Sequence, residues 1–395
     1  MNTLIKLYGE RATENVIGPE TFKPKHIIYM CPPEIAEDKS KLATLKRFFE
    51  HRGYFPDIEF AEISFYKTDK ILQQLRKAKE NYPDLAVDVT GGTDAALIAA
   101  GMFSSETDSP IFTYSRKKNC FYDINHADFA DGTHCTLIYN VSDFFMMTGG
   151  VMAEGRVDNS KLKHYTGKLE PFFKIFLKYK KDWANQIAFI QKISKGEKKD
   201  NASLSVSGDF YQKTEKNGKV PCNTGFFNDL QKIGFIKNLD IVDGQKVSFK
   251  FLDHRVRMWL RDVGSVLELY MYKMCVSSGI FNDVINSAVV NWDYTMGERG
   301  ISNEIDVVCA RGVVPLFVSC KTCDIKTVAL NELAILKDRF GGKGAKACVV
   351  TTEHCNALAR HRASQLGIAV IDIEELENNT VCDRLKAIMK VKDVF

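Results

Sequence analysis

The sequence lacks any long apolar run. No stretch of its 395 residues approaches the ~18 uncharged apolar residues that a membrane-spanning helix needs, so we expect no membrane association. Internal repeats and low-complexity tracts are also missing, and a hydrophobic content of 45% rules out a disordered chain. The short apolar run at the N-terminus contains Lys6, so we expect a first β-strand there rather than a signal peptide.

A paired cysteine pattern is missing as well. The eleven cysteines are odd in number and scattered, and without an export signal we expect reduced thiols in a cytoplasmic protein. Cys320 and Cys323 form a single CxxC. No second Cys or His pair follows at a suitable spacing, so a structural zinc site is not expected.

The chain has little net charge, +4 in total, but this sum hides an uneven distribution. Pattern changes near residues 150 and 255 divide the chain into three predicted domains. Residues 1–150 have a net charge of −4, residues 151–255 have +8, and residues 256–395 have 0. A basic segment favours polyanions through counterion release, although a solvated lysine-rich face is the commoner explanation. If nucleic acid binds, we expect its salt dependence to arise mainly from residues 151–255.

The first domain alternates strand-like and helix-like segments, which indicates a mostly parallel, Rossmann-like sheet. Helical spacing predicts helices over residues 40–52 and 68–81. Strands are expected at 4–8, 26–31, 58–63, 85–89, 111–114 and 135–139.

The second domain has a different pattern. One long helix is predicted over residues 169–195, and Asn217-Gly218 and Asp243-Gly244 are hairpin signals. Between the hairpins, Phe226, Phe227, Leu230 and Ile233 have helical spacing, and the order resembles a winged helix. In the third domain we expect helices at 254–277, 326–340 and 356–366, and strands at 283–292, 304–310, 314–320, 347–351 and 369–373.

A glycine turn is the sharpest local feature of the first domain. Thr90-Gly91-Gly92-Thr93 follows an apolar strand and precedes an alanine-rich helix. Such turns at the carboxyl ends of strands bind ligands through backbone amides and the helix N-terminus. The alternative is a tight turn in which Thr93 or Asp94 caps the helix. Gly9 and Glu10 follow the first strand and are expected at the same sheet edge.

The third domain contains a carboxylate and a lysine on neighbouring strands. Asp306 lies in one strand, and Lys321 ends the next. Such a pair suits metal-assisted phosphodiester hydrolysis, in which the carboxylate holds a cation and the lysine stabilises phosphate charge. Glu268, on an apolar helix, and Glu304, two residues before Asp306, are further acidic candidates. The alternative is an ordinary salt bridge on a surface hairpin.

Two weaker candidates lie outside this set. Glu332 is expected as a solvated helix residue, with a role beside a metal as the alternative. Trp292 and Tyr294 could stack on single-stranded nucleic acid, although packing in the core is the more common role of such residues.

The helix Glu, strand Asp and terminal Lys resemble the PD-(D/E)XK nuclease superfamily. Combined with the TGGT turn, they resemble the CARF-domain nucleases of type III CRISPR systems. That resemblance implies a Rossmann-like CARF sensor, a winged-helix-like connector and a restriction-endonuclease-like α/β domain. It further implies a homodimer that binds cyclic tetra-adenylate through Thr90, Gly91, Gly92 and Thr93, with Gly9 and Glu10 nearby. Glu268, Asp306, Lys321 and Glu304 would be catalytic, and Glu268, Asp306 and Cys320 would hold Mn²⁺ or Mg²⁺.

The sequence departs from this pattern at Ser319, where the motif has its second acid. A hydroxyl is a poor substitute for a carboxylate at a hard cation. Glu304, Glu268 or Glu332 could supply the missing charge, the metal could bind weakly, or the nuclease could be inactive.

We therefore expect a cyclic tetra-adenylate-activated, metal-dependent nuclease that cleaves DNA, RNA or both. One alternative is a constitutive DNA nuclease of restriction or repair type. Another is a nucleotide-sensing transcription regulator with a degenerate nuclease domain.

Overall fold

A computed structural model describes residues 1–64, 66–153, 159–194, 203–214, 218–342 and 344–390, without the side chains of 297–299. Asn217 of the first predicted hairpin and residue 195 of the predicted long helix lie outside the described residues. Within the described chain, each helix is too short or too polar to cross a membrane.

The first 150 residues form a six-stranded sheet in the order β3-β2-β1-β4-β5-β6, parallel except for β6. This arrangement confirms the predicted Rossmann-like alternation. Its elements are β1 (Thr3–Leu7), α1 (Ala12–Phe22), β2 (His26–Cys31), α2 (Pro33–Ala36), α3 (Lys39–His51), β3 (Asp57–Glu62), α4 (Thr68–Asn81), β4 (Leu85–Asp88), α5 (Asp94–Thr107), β5 (Ile111–Ser115), β6 (Cys120–Asp123) and α6 (Val141–Met146).

One strand prediction in this region is wrong. Residues 135–139 form no strand, and the sheet is instead completed by β6, which turns back antiparallel on β5 after Asn119. The N–H of Tyr139 donates to the carbonyl of Gly312, 3.0 Å away. This apolar segment therefore bonds at its start to Asn119, in the turn before β6, and at its end to a turn of the C-terminal domain.

The middle of the chain is helical and then antiparallel, as the pattern predicted. Asp243 and Gly244 both have positive φ and lie in the three-residue loop between the paired residues Val242 and Lys246, and the three-stranded sheet has the order β11-β12-β8. The elements are β7 (Val151–Met152), a 3₁₀ turn (Asn159–Tyr165), α7 (Thr166–Lys178), α8 (Trp183–Ile193), β8 (Ser205–Asp209), β9 (Tyr211–Thr214), β10 (Gly218–Pro221), α9 (Thr224–Lys232), β11 (Ile236–Val242) and β12 (Lys246–Phe251).

The C-terminal domain has a mixed sheet in the order β17-β16-β15-β14-β13-β7. The short strand β7 pairs with β13, so the chain enters this sheet before it builds the connector. The elements are α10 (His254–Trp259), α11 (Ser265–Ser277), β13 (Asp283–Asn291), a 3₁₀ turn (Tyr294–Arg299), β14 (Ser302–Arg311), β15 (Val314–Lys321), α12 (Thr327–Gly341), β16 (Lys346–Thr351), α13 (Ala357–Gln365), β17 (Ile368–Ile371), α14 (Ile373–Glu377) and α15 (Val381–Ile388).

Two predicted helices are each broken in two, and an aspartate stands at each break. Asp182, before α8, accepts from the side-chain amides of Gln186 and Asn223, both at 2.9 Å. Asp262, before α11, accepts from the N–H and hydroxyl of Ser265 at 2.7 and 2.8 Å. Aspartate at a helix start satisfies free backbone or side-chain donors, so apolar periodicity alone overestimated the helix lengths.

The C-terminal sheet is buried on both faces by different partners. Val308 and Phe317 belong to a core that also contains Phe144 and Phe145 of the sensor domain. On the opposite face, Val318 belongs to a core shared with α11 and the connector helices. The sheet is thus packed between sensor and connector.

A buried ion pair lies beneath the carboxyl ends of β1 and β4. The Lys6 Nζ is 3.6 Å from Asp88 Oδ2 and donates to the carbonyl oxygens of Leu7 and Thr90. Asp88 Oδ1 accepts from the Thr90 N–H at 2.9 Å. Burial lowers the pKa of Lys6, and the neighbouring Asp88 acts in the opposite direction. The pair ties both strand ends to the glycine turn.

Gly18 of α1 leaves room for Asp88, which gives a stability prediction. A Cβ at Gly18 would lie 2.1 Å from Asp88 Oδ2, so we expect Gly18→Ala to destabilise the protein by about 1–3 kcal/mol. Gly167→Ala is the matched control, because nothing lies within 4 Å of a Cβ there. Thermal denaturation should show a lower Tm for Gly18→Ala and an unchanged or higher Tm for the control. A wild-type Tm for Gly18→Ala would contradict the tight packing of α1 on Asp88.

Candidate functional site

The glycine turn and the turn after β1 meet at one edge of the sensor sheet, as predicted. A Cβ at Gly91 would lie only 3.0 Å from the Cα of Gly9, and Gly91 has a φ of +86° that favours glycine. Asn15 holds Gly9 in place, since its side chain accepts from the Gly9 N–H and donates to the Gly9 carbonyl, at 2.8 and 2.9 Å. A cavity of about 690 Å³ opens here, lined by Tyr8, Glu10, Arg11, Glu14, Tyr66, Gly91, Gly92, Thr93, Asp94 and Ala95.

Each of the two threonines of the turn accepts a hydrogen bond from a backbone N–H through its hydroxyl. Thr90 is buried, and its hydroxyl accepts from the N–H of Tyr114 at 2.9 Å. Thr93 caps α5 by accepting from the N–H of Ala96 at 3.4 Å. The helix-capping alternative is therefore correct for Thr93, which also lines the cavity, whereas Thr90 shapes the turn from beneath.

Sequence reasoning missed Tyr8, Glu14 and Tyr66 in this cavity, whereas Arg11 belongs to the turn that was predicted at this sheet edge. Glu14 Oε1 lies 3.9 Å from Arg11 and 3.4 Å from Arg116, so two guanidinium groups hold it beside the glycines. Burial raises the pKa of Tyr8 to about 12, which keeps its hydroxyl a neutral donor. The local signal was Gly9-Glu10-Arg11 followed by Glu14 on the first turn of α1.

In the C-terminal domain the structure brings Asp306 and Lys321 together. The Lys321 Nζ is 3.8 Å from Asp306 Oδ2. The same oxygen accepts from the N–H of Cys320 at 2.6 Å and from the Ser319 hydroxyl at 3.3 Å. The residue in place of the motif's second acid thus contacts the first acid directly.

Both central strands are irregular at Asp306. In β14, Ile305 and Val308 belong to the sensor-side core while Val307 faces the connector side, so the alternation shifts by one residue. In β13, Ser287 stands opposite with a φ of +52°, a rare conformation for serine. Irregularities of this kind redirect side chains and concentrate at functional sites.

Glu268 approaches the same place from α11. The hydroxyl of Ser287 donates to Glu268 Oε2 at 3.4 Å. Burial, reinforced by the charges of Asp306, Asp262 and Glu304, raises the pKa of Glu268 to about 8. Burial also raises the pKa of Asp306, against the lowering effect of the Cys320 N–H and Lys321. The carboxylates are held where their negative charges oppose each other.

Asp262 is an acid that sequence reasoning missed. Its charge raises the pKa of both Glu268 and Asp306. Position 262 lies in a stretch predicted as continuous helix, so nothing suggested that it would turn towards the site. Glu332, in contrast, is exposed on α12 and is not among the charges that raise either pKa.

The donor set fits a hard divalent cation only in part. Within the described residues, no group of three or more His, Cys, Asp or Glu side chains is arranged to hold a metal ion. Burial raises the pKa of the Cys320 thiol well above its ordinary value, which keeps the sulfur protonated and leaves only the carbonyl oxygen as a donor. Two carboxylates and a carbonyl suit a cation that keeps several waters, as Mg²⁺ does.

Trp292 and Tyr294 lie at the boundary between the sensor and the C-terminal domain. Trp292 packs on Phe340, with ring centroids 5.7 Å apart, and its indole N–H donates to Asn303 at 2.7 Å. Tyr294 stacks under the Arg47 guanidinium. Both aromatics line a cavity of about 260 Å³ together with sensor residues, so they form a domain contact rather than a platform beside Asp306.

The raised pKa of Glu268 predicts a cost in stability for the metal-free protein. The carboxyl titrates near its ordinary value of 4.5 when unfolded and near 8 when folded, so its contribution to stability falls between those pH values. Glu268→Gln removes this effect. In EDTA we expect the variant to be more stable than wild type by roughly 2–3 kcal/mol at pH 8.5, with little difference at pH 5.

Denaturation of both proteins across this pH range measures the difference. The control is Glu332→Gln, the same change at an exposed site, which should follow wild type at every pH. A pH-independent difference for Glu268→Gln would show that the carboxyl is not held in an unfavourable environment.

The sequence matches no family model, and no curated protein is significantly similar to it. Two solved structures align over almost the whole chain. Protein VC1899 from Vibrio cholerae aligns over 98% of both chains, with a TM-score of 0.76 and 17% identity. Can2 from Sulfobacillus thermosulfidooxidans, in complex with cyclic tetra-adenylate, aligns over 98% of this chain and 99% of its own, with a TM-score of 0.69 and 16% identity. The chain therefore has the fold of these two proteins over almost its whole length.

Proposed function

We propose that this protein is a nuclease of type III CRISPR defence, switched on by cyclic tetra-adenylate and dependent on Mn²⁺ or Mg²⁺. One observation carries the proposal: a chain with the fold of Can2 has a glycine-lined cavity at the sensor edge and an Asp–Glu–Lys set in the other domain. The eleven cysteines are all free thiols, which supports a cytoplasmic location.

The residues around Asp306 have distinct roles in this proposal. Asp306 and Glu268, with the Cys320 carbonyl, would hold the cation, which supplies Lewis-acid polarisation of the scissile phosphate when bound. Lys321 offers an ammonium 3.8 Å from Asp306 and would stabilise charge that develops on the phosphate. Ser319 holds Asp306 by its hydroxyl and adds no charge.

In this proposal, acids outside the motif supply the negative charge of the missing second acid. The negative charges of Glu304 and Asp262 both raise the pKa of Glu268, and the charge of Asp262 also raises the pKa of Asp306. We therefore favour an active nuclease over a degenerate domain in a transcription regulator. Cleavage that needs no cyclic ligand would instead identify a constitutive nuclease.

The sensor cavity suits a ligand held by backbone groups. Its charged lining includes Glu10, Glu14 and Asp94 against Arg11, so phosphates must be bound locally by amides of the glycine turn and the start of α5. Tyr8 and Tyr66 add aromatic surface, and Tyr66 is 93% exposed. We assign Thr90, Gly91, Gly92, Thr93, Gly9 and Glu10 to this site, with Thr90 acting from below.

We propose a homodimer that pairs two such cavities. Helix α5, which starts at the glycine turn, exposes Leu97, Ile98 and Met102, while Gly101 leaves open space on the same helix. An apolar helix face next to an open cavity fits a second copy of the chain, because a ring with twofold symmetry would then contact both glycine turns.

Ligand binding can reach the nuclease through contacts within one chain. Arg11 lines both the sensor cavity and the cavity at the domain boundary. There it packs against Gly342 after α12, where a Cβ would lie 3.4 Å from the Arg11 Cβ. A ligand that binds one arrangement of these contacts more tightly would shift the population towards it.

The cleavage assay tests this function directly. We expect purified protein with Mn²⁺ or Mg²⁺ to cut single-stranded DNA, plasmid or RNA when cyclic tetra-adenylate is added. Asp306→Ala and Lys321→Ala should each lower the rate at least about 100-fold, as loss of a transition-state contact does. Cyclic tri- and hexa-adenylate are compared in parallel.

Glu377→Ala, which removes an exposed acid at the end of α14, is the matched control and should cut like wild type. Equal cleavage by Asp306→Ala, Lys321→Ala and wild type would exclude this site. Absence of cleavage in every condition would indicate an inactive domain.

The dimer yields a separate prediction. Ile98, at 58% exposure, should become buried in the dimer, so Ile98→Asp is expected to give a monomer by analytical ultracentrifugation. Its affinity for cyclic tetra-adenylate should fall at least about tenfold, because half of the contacts are lost. Leu358→Asp, an equally drastic change at an exposed residue of α13, should remain dimeric. A dimeric Ile98→Asp would place the interface elsewhere.

A further inference from the structure

A third cavity lies between the connector and the C-terminal sheet. It has a volume of about 360 Å³ and opens where the turn between α7 and α8 approaches the ends of β15 and β16. Its lining consists of Phe176, Lys180, Lys181, Trp183, Ala184, Val263, Thr322, Thr352 and Glu353. We call this cavity the connector groove.

The connector groove adjoins Lys321. Thr322 is the next residue along the chain, and the N–H of Thr352 donates to the Lys321 carbonyl at 3.1 Å. A strand whose scissile phosphate sits at Lys321 and Asp306 would therefore bring a neighbouring nucleotide to this groove.

The polar groups of the groove favour an anion. The Lys180 ammonium donates to the carbonyl of Thr352 at 2.5 Å and lies 3.0 Å from Glu353 Oε2. Lys181 is exposed, and in the described part of the chain no carboxylate lies within ion-pair distance of it. The Thr352 hydroxyl is buried and has no hydrogen-bond partner. The charged lining of the groove therefore consists of two lysines and one glutamate, and its net charge is positive.

We propose that the connector groove binds a backbone phosphate of the nucleic-acid substrate, next to the phosphate that is cleaved. This inference rests on the proposed nuclease function and names the part of the substrate that the basic connector reads. Lys181 binds the phosphate, and Lys180 joins it as the phosphate replaces Glu353. Phe176 and Trp183 are buried in the core and offer no face to a base, so the groove reads the backbone and not the sequence.

Equilibrium binding tests this subsite independently of cleavage. Fluorescence anisotropy is measured with the full-length protein, cyclic tetra-adenylate and EDTA, using labelled 20-nucleotide oligo-dT and oligo-U at several salt concentrations. Lys181→Gln should lower affinity about fivefold at 0.1 M salt and reduce the salt slope by about 0.7, the contribution of one phosphate contact in a single strand. Glu353→Gln frees Lys180 and should raise affinity at least about twofold.

Lys192→Gln is the matched control, because it removes the same charge from the exposed end of α8 and does not line the groove. It should bind like wild type. Equal affinities and slopes for wild type, Lys181→Gln and Glu353→Gln would overturn the subsite, as would complete absence of binding by wild type.

A parallel cleavage assay in Mn²⁺ separates the two proposals. Cleavage by wild type together with unchanged binding by Lys181→Gln would remove the subsite and keep the nuclease. Weakened binding by Lys181→Gln without cleavage by any protein would keep the subsite and remove the nuclease. Binding by Lys180→Gln is compared with wild type only if the two proteins have the same Tm, because Lys180 also donates a hydrogen bond to the carbonyl of Thr352.

Discussion

Burial of the C-terminal sheet on both faces is the constraint on which the rest of the structure depends. One face shares a hydrophobic core with the sensor and the other shares a core with the connector. Polar chemistry is therefore confined to the ends and irregularities of the strands, where Asp306, Ser287 and Lys321 lie. The same arrangement places each site in contact with a neighbouring domain. A change in the packing of one domain therefore alters the contacts of the C-terminal sheet.

Both sites keep charged groups where solvation is poor. The sensor holds Lys6 and Asp88 beneath the glycine turn, and the other domain holds Glu268 beside Asp306. The first pair is neutralised within the chain and makes the turn rigid. At the second site, burial and the neighbouring acids raise the pKa of Glu268 to about 8, so ionising Glu268 and Asp306 together is unfavourable there.

The sequence predicted which residues lie together in each candidate site, because each grouping depends on local chemistry. The Thr90–Thr93 turn needs adjacent glycines between strand and helix, and Asp306 and Lys321 are brought together by a hairpin with a short turn. Features set by tertiary packing were missed. Aspartates that break helices, such as Asp262, and the positive φ of Ser287 carry no periodic signal. The 135–139 segment is apolar enough for a strand, but its hydrogen bonds are divided between Asn119 of its own domain and Gly312 of the C-terminal domain.

The short strand β7 has a consequence for how the domains can be separated. Val151 and Met152 cover the outer edge of β13, although they precede the connector in sequence. A fragment starting at residue 256 would expose that edge as unpaired backbone, which templates association with other chains. The C-terminal unit is thus discontinuous in sequence, and the connector is an excursion between two strands of one sheet.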